Sequence, residues 1–292
     1  MPELPEVETV RKGLEKNLDI FRITQLEVLR ERAIASPGGS REFRKNLIGK
    51  HVGSWKRRGK YLFASLHQNK PNNSLKSFNQ NSVDGFWGVH LRMTGHFQLY
   101  KKETPPCRHT RVRIWGEQGS ELRFVDMRSF GQMWWVPPDV AMENIITGLK
   151  RLGPEPFSKK FNAVYLTNKL KERKISIKSA LLDQSIIAGT GNIYADESLF
   201  SAGILPYKES RKLQFKEVEK LCECLVKTLK ISIGKGGTSF SDFRDLEGLN
   251  GNYGGQAWVY RRNNMPCRKC GATIKKTKIS GRGTHWCPVC QK

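Results

Sequence analysis

The chain has 292 residues, which is enough for two domains of ordinary size. Its 51 Lys and Arg exceed its 27 Asp and Glu, so the formal net charge is +24, and 38% of the residues are hydrophobic. This apolar share excludes disorder throughout, and no stretch reaches the roughly 18 apolar residues of a membrane span. The start also lacks the basic and apolar runs of a secretory signal. We expect a globular cytoplasmic protein with a polyanionic partner.

The C-terminal charge favours nucleic acid over a membrane surface. Residues 258–292 contain nine Lys or Arg, no Asp or Glu, and the aromatic residues Trp258, Tyr260 and Trp286. Cations beside aromatic rings suit phosphates and unstacked bases, whereas membrane-surface binding is typical of an amphipathic helix, which this segment lacks. We therefore expect a nucleic-acid partner and no membrane.

The N-terminal part is predicted to be α+β. Val7, Val10, Leu14 and Leu18 recur at helical spacing. After them the pattern changes to short β-rich runs, which predict an antiparallel β-sandwich and a first domain over residues 1–136. These runs are residues 25–29, 61–66, 86–91, 97–100, 111–115, 121–125 and 132–136. Residues 69–84, rich in Asn and Ser, are predicted to be a loop between strands.

The rest of the chain is predicted to be helical and to end in a metal-binding segment. Prolines mark residues 137–156 as a linker, and 157–257 form the expected helical domain. Helical periodicity covers residues 161–171, 178–187, 192–202 and 215–233. Residues 236–255 are a glycine-rich loop, and residues 258–292 form the last unit.

Four cysteines predict one structural zinc ion. Cys267 and Cys270 form one CxxC pair, Cys287 and Cys290 form another, and sixteen residues lie between the two pairs. Two such knuckles bring four thiolates together around Zn²⁺, and a filled tetrahedral site leaves no position for catalysis. Arg282 is expected at the tip of the hairpin that the metal orders.

The N-terminus offers a nucleophile. Removal of Met1 exposes the secondary amine of Pro2, which forms a permanently cationic iminium with an aldehyde carbon and so favours elimination at the adjacent carbon. Alternatively, Pro2 only restricts φ. Glu3 and Glu6 flank this amine as possible general acids, although acidic residues also stabilise helix N-termini.

Several other segments suit an anionic partner. Residues 189–192 (Gly-Thr-Gly-Asn) precede a predicted helix whose N–H groups face an anion. Strand alternation over residues 89–95 places His90, Arg92 and Thr94 on one face and Leu91 and Met93 on the other. Taken alone, Met93 suits a core, and His90, Arg128 and Phe130 suit structural roles.

Together these segments resemble the formamidopyrimidine-DNA glycosylase family. The resemblance covers nearly the whole chain and rests on six segments in the family's order, namely residues 2–8, 58–61, 90–95, 128–131 and 189–194 and the four-cysteine ribbon. It implies an N-terminal helix with a β-sandwich, a helix-two-turn-helix domain over residues 157–257 and a zinc ribbon over residues 258–292. It also implies a monomeric, nucleoid-associated repair enzyme that acts on damaged double-stranded DNA.

The resemblance implies a role for each site residue. Pro2 attacks C1′ of an oxidised purine nucleotide, and β,δ-elimination follows. Glu3 assists opening of the sugar ring, and Glu6 supports the N-terminal geometry. Lys60 counts among the catalytic residues and binds a phosphate. His90, Lys178, Asn192 and Arg282 bind DNA around the flipped nucleotide, and Met93, Arg128 and Phe130 fill the void that it leaves.

Three departures from the family pattern concern lesion preference and local structure. Residues 69–84 form an insertion, and residues 250–256 differ from the family in a segment that covers the damaged base there. Arg261 stands where the family commonly has glycine after Tyr260. Two alternatives remain open from sequence: an endonuclease VIII-like enzyme for oxidised pyrimidines, and a non-catalytic zinc-ribbon DNA-binding protein.

Overall fold

A computed structural model describes residues 1–18, 21–69, 83–100, 103–238 and 253–292. The predicted loop at residues 69–84 lies almost wholly outside the described residues, as does most of the glycine-rich loop at residues 236–255. The chain forms two compact units. Among the described residues, unit 1 contains residues 1–2, 6–150 and 238, and unit 2 contains residues 3–5, 151–237 and 253–292.

Unit 1 is the predicted antiparallel sandwich. Its helices are α1 (Leu4–Asn17), α2 (Gly39–Leu47) and α3 (Met142–Ile145). Its strands are β1 (Ile23–Val28), β2 (His51–Arg58), β3 (Tyr61–His67), β4 (Phe86–His90), β5 (His96–Tyr100), β6 (Thr110–Gly116), β7 (Glu121–Val125) and β8 (Gln132–Val136). One sheet has the order β1-β6-β7-β5 and the other the order β2-β3-β4-β8.

The sandwich core explains why these residues form strands. In β6 buried and half-buried side chains alternate, as expected for a strand with one face in a core. Val112 and Ile114 of β6 pack in the same cluster as Leu62 of β3 and Trp87 of β4. Val7, Val10 and Leu14 join this cluster, so the apolar face of α1 covers the sandwich.

Two elements of unit 1 were missing from the sequence prediction. Helix α2 buries only Phe43 and Leu47, which is a short apolar pattern. Strand β2 contains Gly53 and ends in three cations, and its pairing with β3 is irregular between Val52 and Trp55. The predicted linker is also partly ordered, because α3 and the 3-10 helix Thr147–Arg151 lie within it.

Within the described residues, unit 2 contains four α-helices and a hairpin. They are α4 (Ala163–Leu170), α5 (Ile177–Leu182), α6 (Asn192–Ala202) and α7 (Phe215–Gly234), followed by β9 (Lys275–Ile279) and β10 (Arg282–Trp286). Side-chain caps define the starts of α4 and α5, since Asn162 accepts a hydrogen bond from the Tyr165 N–H and Ser176 accepts one from the Ser179 N–H. Helix α7 packs against α6 and α4. Within the described ranges, no helix has the length and apolar character to cross a membrane.

Candidate functional site

The predicted site residues divide between the two units. Unit 1 holds Pro2, Glu6, Lys60, His90, Met93, Arg128 and Phe130. Unit 2 holds Glu3, Lys178, Asn192, Arg282 and the four cysteines. Within unit 1, the turns after β2, β4 and β7 lie at one end of the sandwich, as the pairing of Tyr61 with His90 and of His90 with Gln132 requires. Residues from three separate turns thus lie at one end of unit 1.

The N-terminal residues of unit 1 are held in place. Pro2 is buried and Met1 is half exposed. The Glu6 side chain is 1% exposed, and its Oε1 accepts a hydrogen bond from the Thr238 N–H at 2.8 Å. This bond fixes the first turn of α1, which follows the predicted nucleophile.

Glu3 occupies the start of α6 in unit 2. Its Oε1 accepts a hydrogen bond from the Ile193 N–H at 3.0 Å, and its Oε2 accepts one from the Tyr194 N–H at 3.4 Å. These N–H groups form the positive end of the helix, where a carboxylate is favoured. The sequence predicted an anion here, and in unit 2 that anion is the protein's own Glu3. A Cβ at Gly191 would overlap the Glu3 carboxyl group.

His90 is a neutral hydrogen-bond donor at the end of β4. Burial, together with the charges of Arg92 and Lys60, lowers its pKa to about 3. Its Nδ1 accepts a hydrogen bond from the Arg92 N–H at 2.9 Å, so the neutral ring carries its proton on Nε2. The Tyr61 ring packs edge-on against it, with ring centroids 4.5 Å apart. Lys60 is 8% exposed and precedes Tyr61.

The predicted alternation over residues 89–95 is wrong beyond His90. Strand β4 ends at His90, and the chain then turns through Arg92, whose φ is +55°. Leu91 is therefore buried while Met93 is 37% exposed, although the alternation placed both on one face and the interpretation of Met93 taken alone was a core residue. The turn, which strand periodicity does not describe, presents the thioether to solvent.

Asp126 holds together two loops that carry predicted DNA-contacting residues. Its side chain is fully buried, and Oδ1 accepts hydrogen bonds from the Thr94 hydroxyl and from the Arg128 N–H, the latter at 3.2 Å. Oδ2 accepts a hydrogen bond from the Gly131 N–H at 2.7 Å. The Met93 turn and the loop over residues 126–131 therefore share one anchoring carboxylate.

Arg128 and Phe130 extend from that loop into solvent. Phe130 is 37% exposed, and the Arg128 guanidinium carbon lies 4.9 Å from the centre of its ring. Ser129 between them has a φ of +54°. This left-handed conformation is costly for a residue with a Cβ and is typical of functional loops.

Lys178 is buried in unit 2 and has protein partners. Its Nζ lies 2.6 Å from Asp196 Oδ1 and donates hydrogen bonds to the Thr284 hydroxyl at 2.8 Å and the Gly283 carbonyl at 3.0 Å. Burial lowers the pKa of Lys178, and Asp196 opposes that shift. DNA contact by Lys178 stays a prediction, and it requires exchange of one of these interactions.

Helix α6 also connects to the hairpin that carries Arg282. The Asn192 Nδ2 donates a hydrogen bond to the Gly283 carbonyl at 3.0 Å. Ser280 and Gly281 form the turn between β9 and β10, both with positive φ, and Arg282 lies exposed directly after it. The hairpin therefore places a cation at its tip, as predicted, and Gly283 is tied to α6 by Asn192 and to α5 by Lys178.

The four cysteines form a cluster that fits a tetrahedral metal. All four Sγ atoms lie within 4.8 Å of one another. The Cys267–Cys290 and Cys270–Cys287 separations are 3.9 and 3.5 Å. A tetrahedron with Zn–S bonds of about 2.3 Å has S···S edges of about 3.8 Å, so the cluster matches one zinc ion. The Lys269 N–H points at Cys267 Sγ and the Cys290 N–H at Cys287 Sγ, as in a zinc knuckle.

Glu197 organises the chain just before the ribbon. Its Oε2 accepts a hydrogen bond from the Trp258 N–H at 2.8 Å, and its Oε1 accepts bonds from the Val259 and Tyr260 N–H groups at 2.9 Å. Burial raises the pKa of Glu197, while these three bonds oppose the shift.

Sequence reasoning missed three acidic residues that build the site. Asp126, Asp196 and Glu197 have side chains that are at most 1% exposed and bind groups distant in sequence. One available signal was the Asp-Glu pair at 196–197, because adjacent charges inside an otherwise apolar helix need buried partners. For Asp126, the signal was its place directly after an apolar strand and before the Arg128 motif.

The chain matches three family profiles along its length. They are described as Formamidopyrimidine-DNA glycosylase N-terminal domain over residues 1–133, Formamidopyrimidine-DNA glycosylase H2TH domain over residues 152–244, and Zinc finger found in FPG and IleRS over residues 266–292.

Known relatives match the chain from end to end. A Formamidopyrimidine-DNA glycosylase from Prochlorococcus marinus (strain MIT 9313) is 63% identical, with 100% of both chains covered. Lactococcus lactis FPG bound to Fapy-dG-containing DNA is 33% identical at a TM-score of 0.85, covering 99% of this chain and 100% of that one. Lactococcus lactis Fpg bound to abasic-site DNA is 33% identical at a TM-score of 0.86, with 99% of each covered. These full-length matches confirm the predicted fold class and the structural zinc site, and the chain belongs to the formamidopyrimidine-DNA glycosylase family.

Proposed function

We propose that this protein is a base-excision repair enzyme that removes oxidised purines from duplex DNA and cleaves the resulting abasic site through Pro2. Its family membership supports a bifunctional DNA glycosylase and abasic-site lyase, and solved relatives bind Fapy-dG and abasic-site DNA. The observation that carries the mechanism is the N-terminal arrangement, in which Glu3 follows Pro2 and its carboxyl group is fixed on α6.

The chemistry begins at the Pro2 nitrogen after Met1 has been removed. The nitrogen lone pair bonds to C1′ as the glycosidic bond breaks, and the base leaves with the bonding pair and takes up a proton. Opening of the sugar ring then gives an iminium. Because a proline iminium has no N–H to lose, it remains an electron sink while the 3′ and then the 5′ phosphate leave by elimination. Hydrolysis of the iminium restores the amine, and a one-nucleotide gap with phosphate ends remains.

Glu3 and Glu6 serve this amine in different ways. Glu3 takes the proton that the Pro2 nitrogen loses after bonding to C1′ and donates it to the sugar ring oxygen as the bond between C1′ and that oxygen breaks. The N–H groups of Ile193 and Tyr194 hold its carboxyl group in one orientation. Glu6 is a positioning residue, since its bond to the Thr238 N–H fixes the helix turn next to Pro2.

The exposed loops of unit 1 open the duplex. A stacked nucleotide must leave the helix before C1′ is accessible, at a cost of a few kcal/mol, and inserted side chains recover part of it. Met93, Arg128 and Phe130 present an apolar thioether, a cation and an aromatic ring at one end of the sandwich. They fill the void, and Arg128 faces the orphaned cytosine.

Cationic and N–H donors bind the DNA backbone around the flipped nucleotide. Lys60 and the Nε2–H of neutral His90 act from unit 1, and Asn192 and Arg282 act from unit 2, with Lys178 ordering the hairpin. When bound, zinc supplies rigidity to the segment that carries Arg282. The net charge of +24 adds the sequence-independent affinity that a scanning enzyme needs.

We further propose that one copy of the chain acts on the nucleoid. The working division is a catalytic domain over residues 1–136, a linker over 137–156, a helix-two-turn-helix domain over 157–257 and a ribbon over 258–292.

Borohydride trapping tests the proposal. Reduction of the iminium should join the protein covalently to a duplex that contains an oxidised purine opposite cytosine, and peptide mass spectrometry should locate the adduct on residue 2. Pro2→Gly, or a form that retains Met1, should give no cross-link. A tag placed before Met1 should abolish trapping, whereas the same tag after Lys292 should not.

Three results would contradict the proposal. An adduct on Lys60 would move the nucleophile to another residue. Tight binding of damaged duplex without any adduct would indicate a non-catalytic DNA-binding protein. Cleavage of oxidised thymine far exceeding that of oxidised purines would indicate the endonuclease VIII-like alternative.

A further inference from the structure

Phe130 contacts a second arginine, Arg32, which lies outside the six segments of the family resemblance. The Arg32 guanidinium carbon lies 5.3 Å from the centre of the Phe130 ring, a distance typical of a cation–π contact. Arg32 belongs to the 3-10 helix Glu31–Ala33, about a hundred residues before Phe130 in sequence. Both side chains are exposed and lie in unit 1.

The segment that carries Arg32 is anchored to the sandwich. Ile34 forms a bridge with Met133 of β8, and the Ala35 N–H donates a hydrogen bond to the Met133 carbonyl at 2.8 Å. The Ala33 N–H donates another to the Arg30 carbonyl at 2.9 Å. Arg32 thus extends from backbone that is held beside a buried strand.

The two arginines that contact Phe130 differ in whether they can hold its ring in place relative to the sandwich. Arg128 lies in the same loop as Phe130, so it moves with the ring when that loop moves. Arg32 belongs to a different, hydrogen-bonded segment, and its contact fixes the ring relative to the sandwich. A ring that inserts between base pairs must keep one orientation, because a rotated ring loses its stacking contacts.

We propose that Arg32 is a positioning residue that holds Phe130 in the orientation for insertion into the duplex. The proposal rests on the proposed function, in which Phe130 enters the DNA. A cation–π contact at an exposed site changes an equilibrium by about two- to fivefold, so removal of Arg32 should reduce the inserted population by that factor.

The experiment compares three variants of the full-length zinc-bound protein. Arg32→Met keeps side-chain length without charge, Arg32→Lys keeps a cation, and Arg30→Met makes the same change at an exposed arginine two residues earlier. Single-turnover excision is measured on duplex with an oxidised purine, and β,δ-elimination on an abasic site in single-stranded DNA, where no base pair needs to be separated. The fluorescence of 2-aminopurine next to the lesion reports unstacking on binding.

We expect Arg32→Met to lower duplex excision and the fluorescence change by about two- to fivefold, because the ring is less often oriented for insertion. Arg32→Lys should restore most of both signals. Single-strand elimination, thermal stability and the Arg30→Met control should match wild type.

Other outcomes would overturn the proposal. Equal losses on duplex and single strand would indicate a general structural role. If Arg32→Met leaves the fluorescence signal unchanged but lowers the salt dependence of DNA binding by the amount expected for about one phosphate contact, Arg32 binds a phosphate directly instead. Unchanged fluorescence and excision in Arg32→Met would show that Arg32 does not position Phe130. If wild-type protein binds damaged duplex without excising, the proposed function fails, while the fluorescence comparison still decides the role of Arg32.

Discussion

Replacement of Asp126 by Asn tests whether one buried carboxylate holds both loops of unit 1 that carry the residues predicted to insert into DNA. In the folded protein its two oxygens accept hydrogen bonds from the Thr94 hydroxyl and from the Arg128 and Gly131 N–H groups. An amide of the same shape has one oxygen and one NH₂ group. In either orientation at least one N–H or hydroxyl donor therefore meets another donor.

The structure sets the size of the expected effect. Asp126 is 0% exposed, so water cannot replace a lost partner. A hydrogen bond to a charged group is worth about 1.5–3 kcal/mol, and an unpaired buried N–H costs about 1–3 kcal/mol. Because the amide oxygen keeps part of the network, we expect Asp126→Asn to lower the free energy of unfolding by about 2–3 kcal/mol.

Urea denaturation measures the loss, and single-turnover excision reports its effect on the loops. Asp139→Asn is the matched control, since Asp139 is exposed and the same substitution there should change stability by less than about 0.5 kcal/mol. We expect excision from duplex to fall more than elimination at a single-stranded abasic site. An Asp126→Asn protein with wild-type stability and excision would refute the reasoning.

Three further predictions concern pH, zinc and backbone strain. The folded pKa of His90, about 3, lies below the unfolded value of about 6.5. The neutral His90 ring therefore stabilises the fold above pH 6.5, and this stabilisation is lost as the pH falls toward 3. Between pH 7.5 and 5.5, the free energy of unfolding of wild type should fall by about 1.4 kcal/mol more than that of His90→Gln, as measured by urea titration. Cys290→Ala should release zinc to a chromophoric chelator and weaken DNA binding, while limited proteolysis should show that unit 1 stays folded. Unchanged DNA binding after complete zinc loss would contradict the ribbon's role. Arg261 has a φ of +56°, so Arg261→Gly should raise the free energy of unfolding by about 0.5–1 kcal/mol in calorimetry, and a decrease would contradict this.

Much of the fold was predictable because its signals are local. Helix α6 begins and ends at the predicted residues, and strands β7 and β8 match their predicted bounds. Strand β2 was not predicted, because its cations and Gly53 hide the alternation that would mark a strand. Whether a charged segment forms a strand depends on the strand beside it in the sheet, and the periodicity of the segment itself gives no information about that strand.

The candidate site residues could be named from the sequence, but their connections could not. Motifs named Pro2 and Glu3, and the family resemblance supplied their roles, whereas the CxxC spacing itself predicted the metal site of the cysteines. The bonds from Ile193 and Tyr194 to Glu3 join residues 190 or more positions apart, and no spacing rule predicts such a pairing. The pairing of Lys178 with Asp196 was missed for the same reason, although the two lie on successive helices.

The close approach of Glu3 to Gly191 changes how the Gly-Thr-Gly-Asn segment should be understood. Gly191 has a φ of −135°, which any amino acid adopts, so the backbone itself does not require glycine there. What excludes a side chain is the volume already taken by the Glu3 carboxyl group. The Gly-Thr-Gly-Asn segment is thus shaped by an internal acid. The substitution Gly191→Ala, which adds one methyl group, tests whether the Glu3 carboxyl group can shift to make room for it.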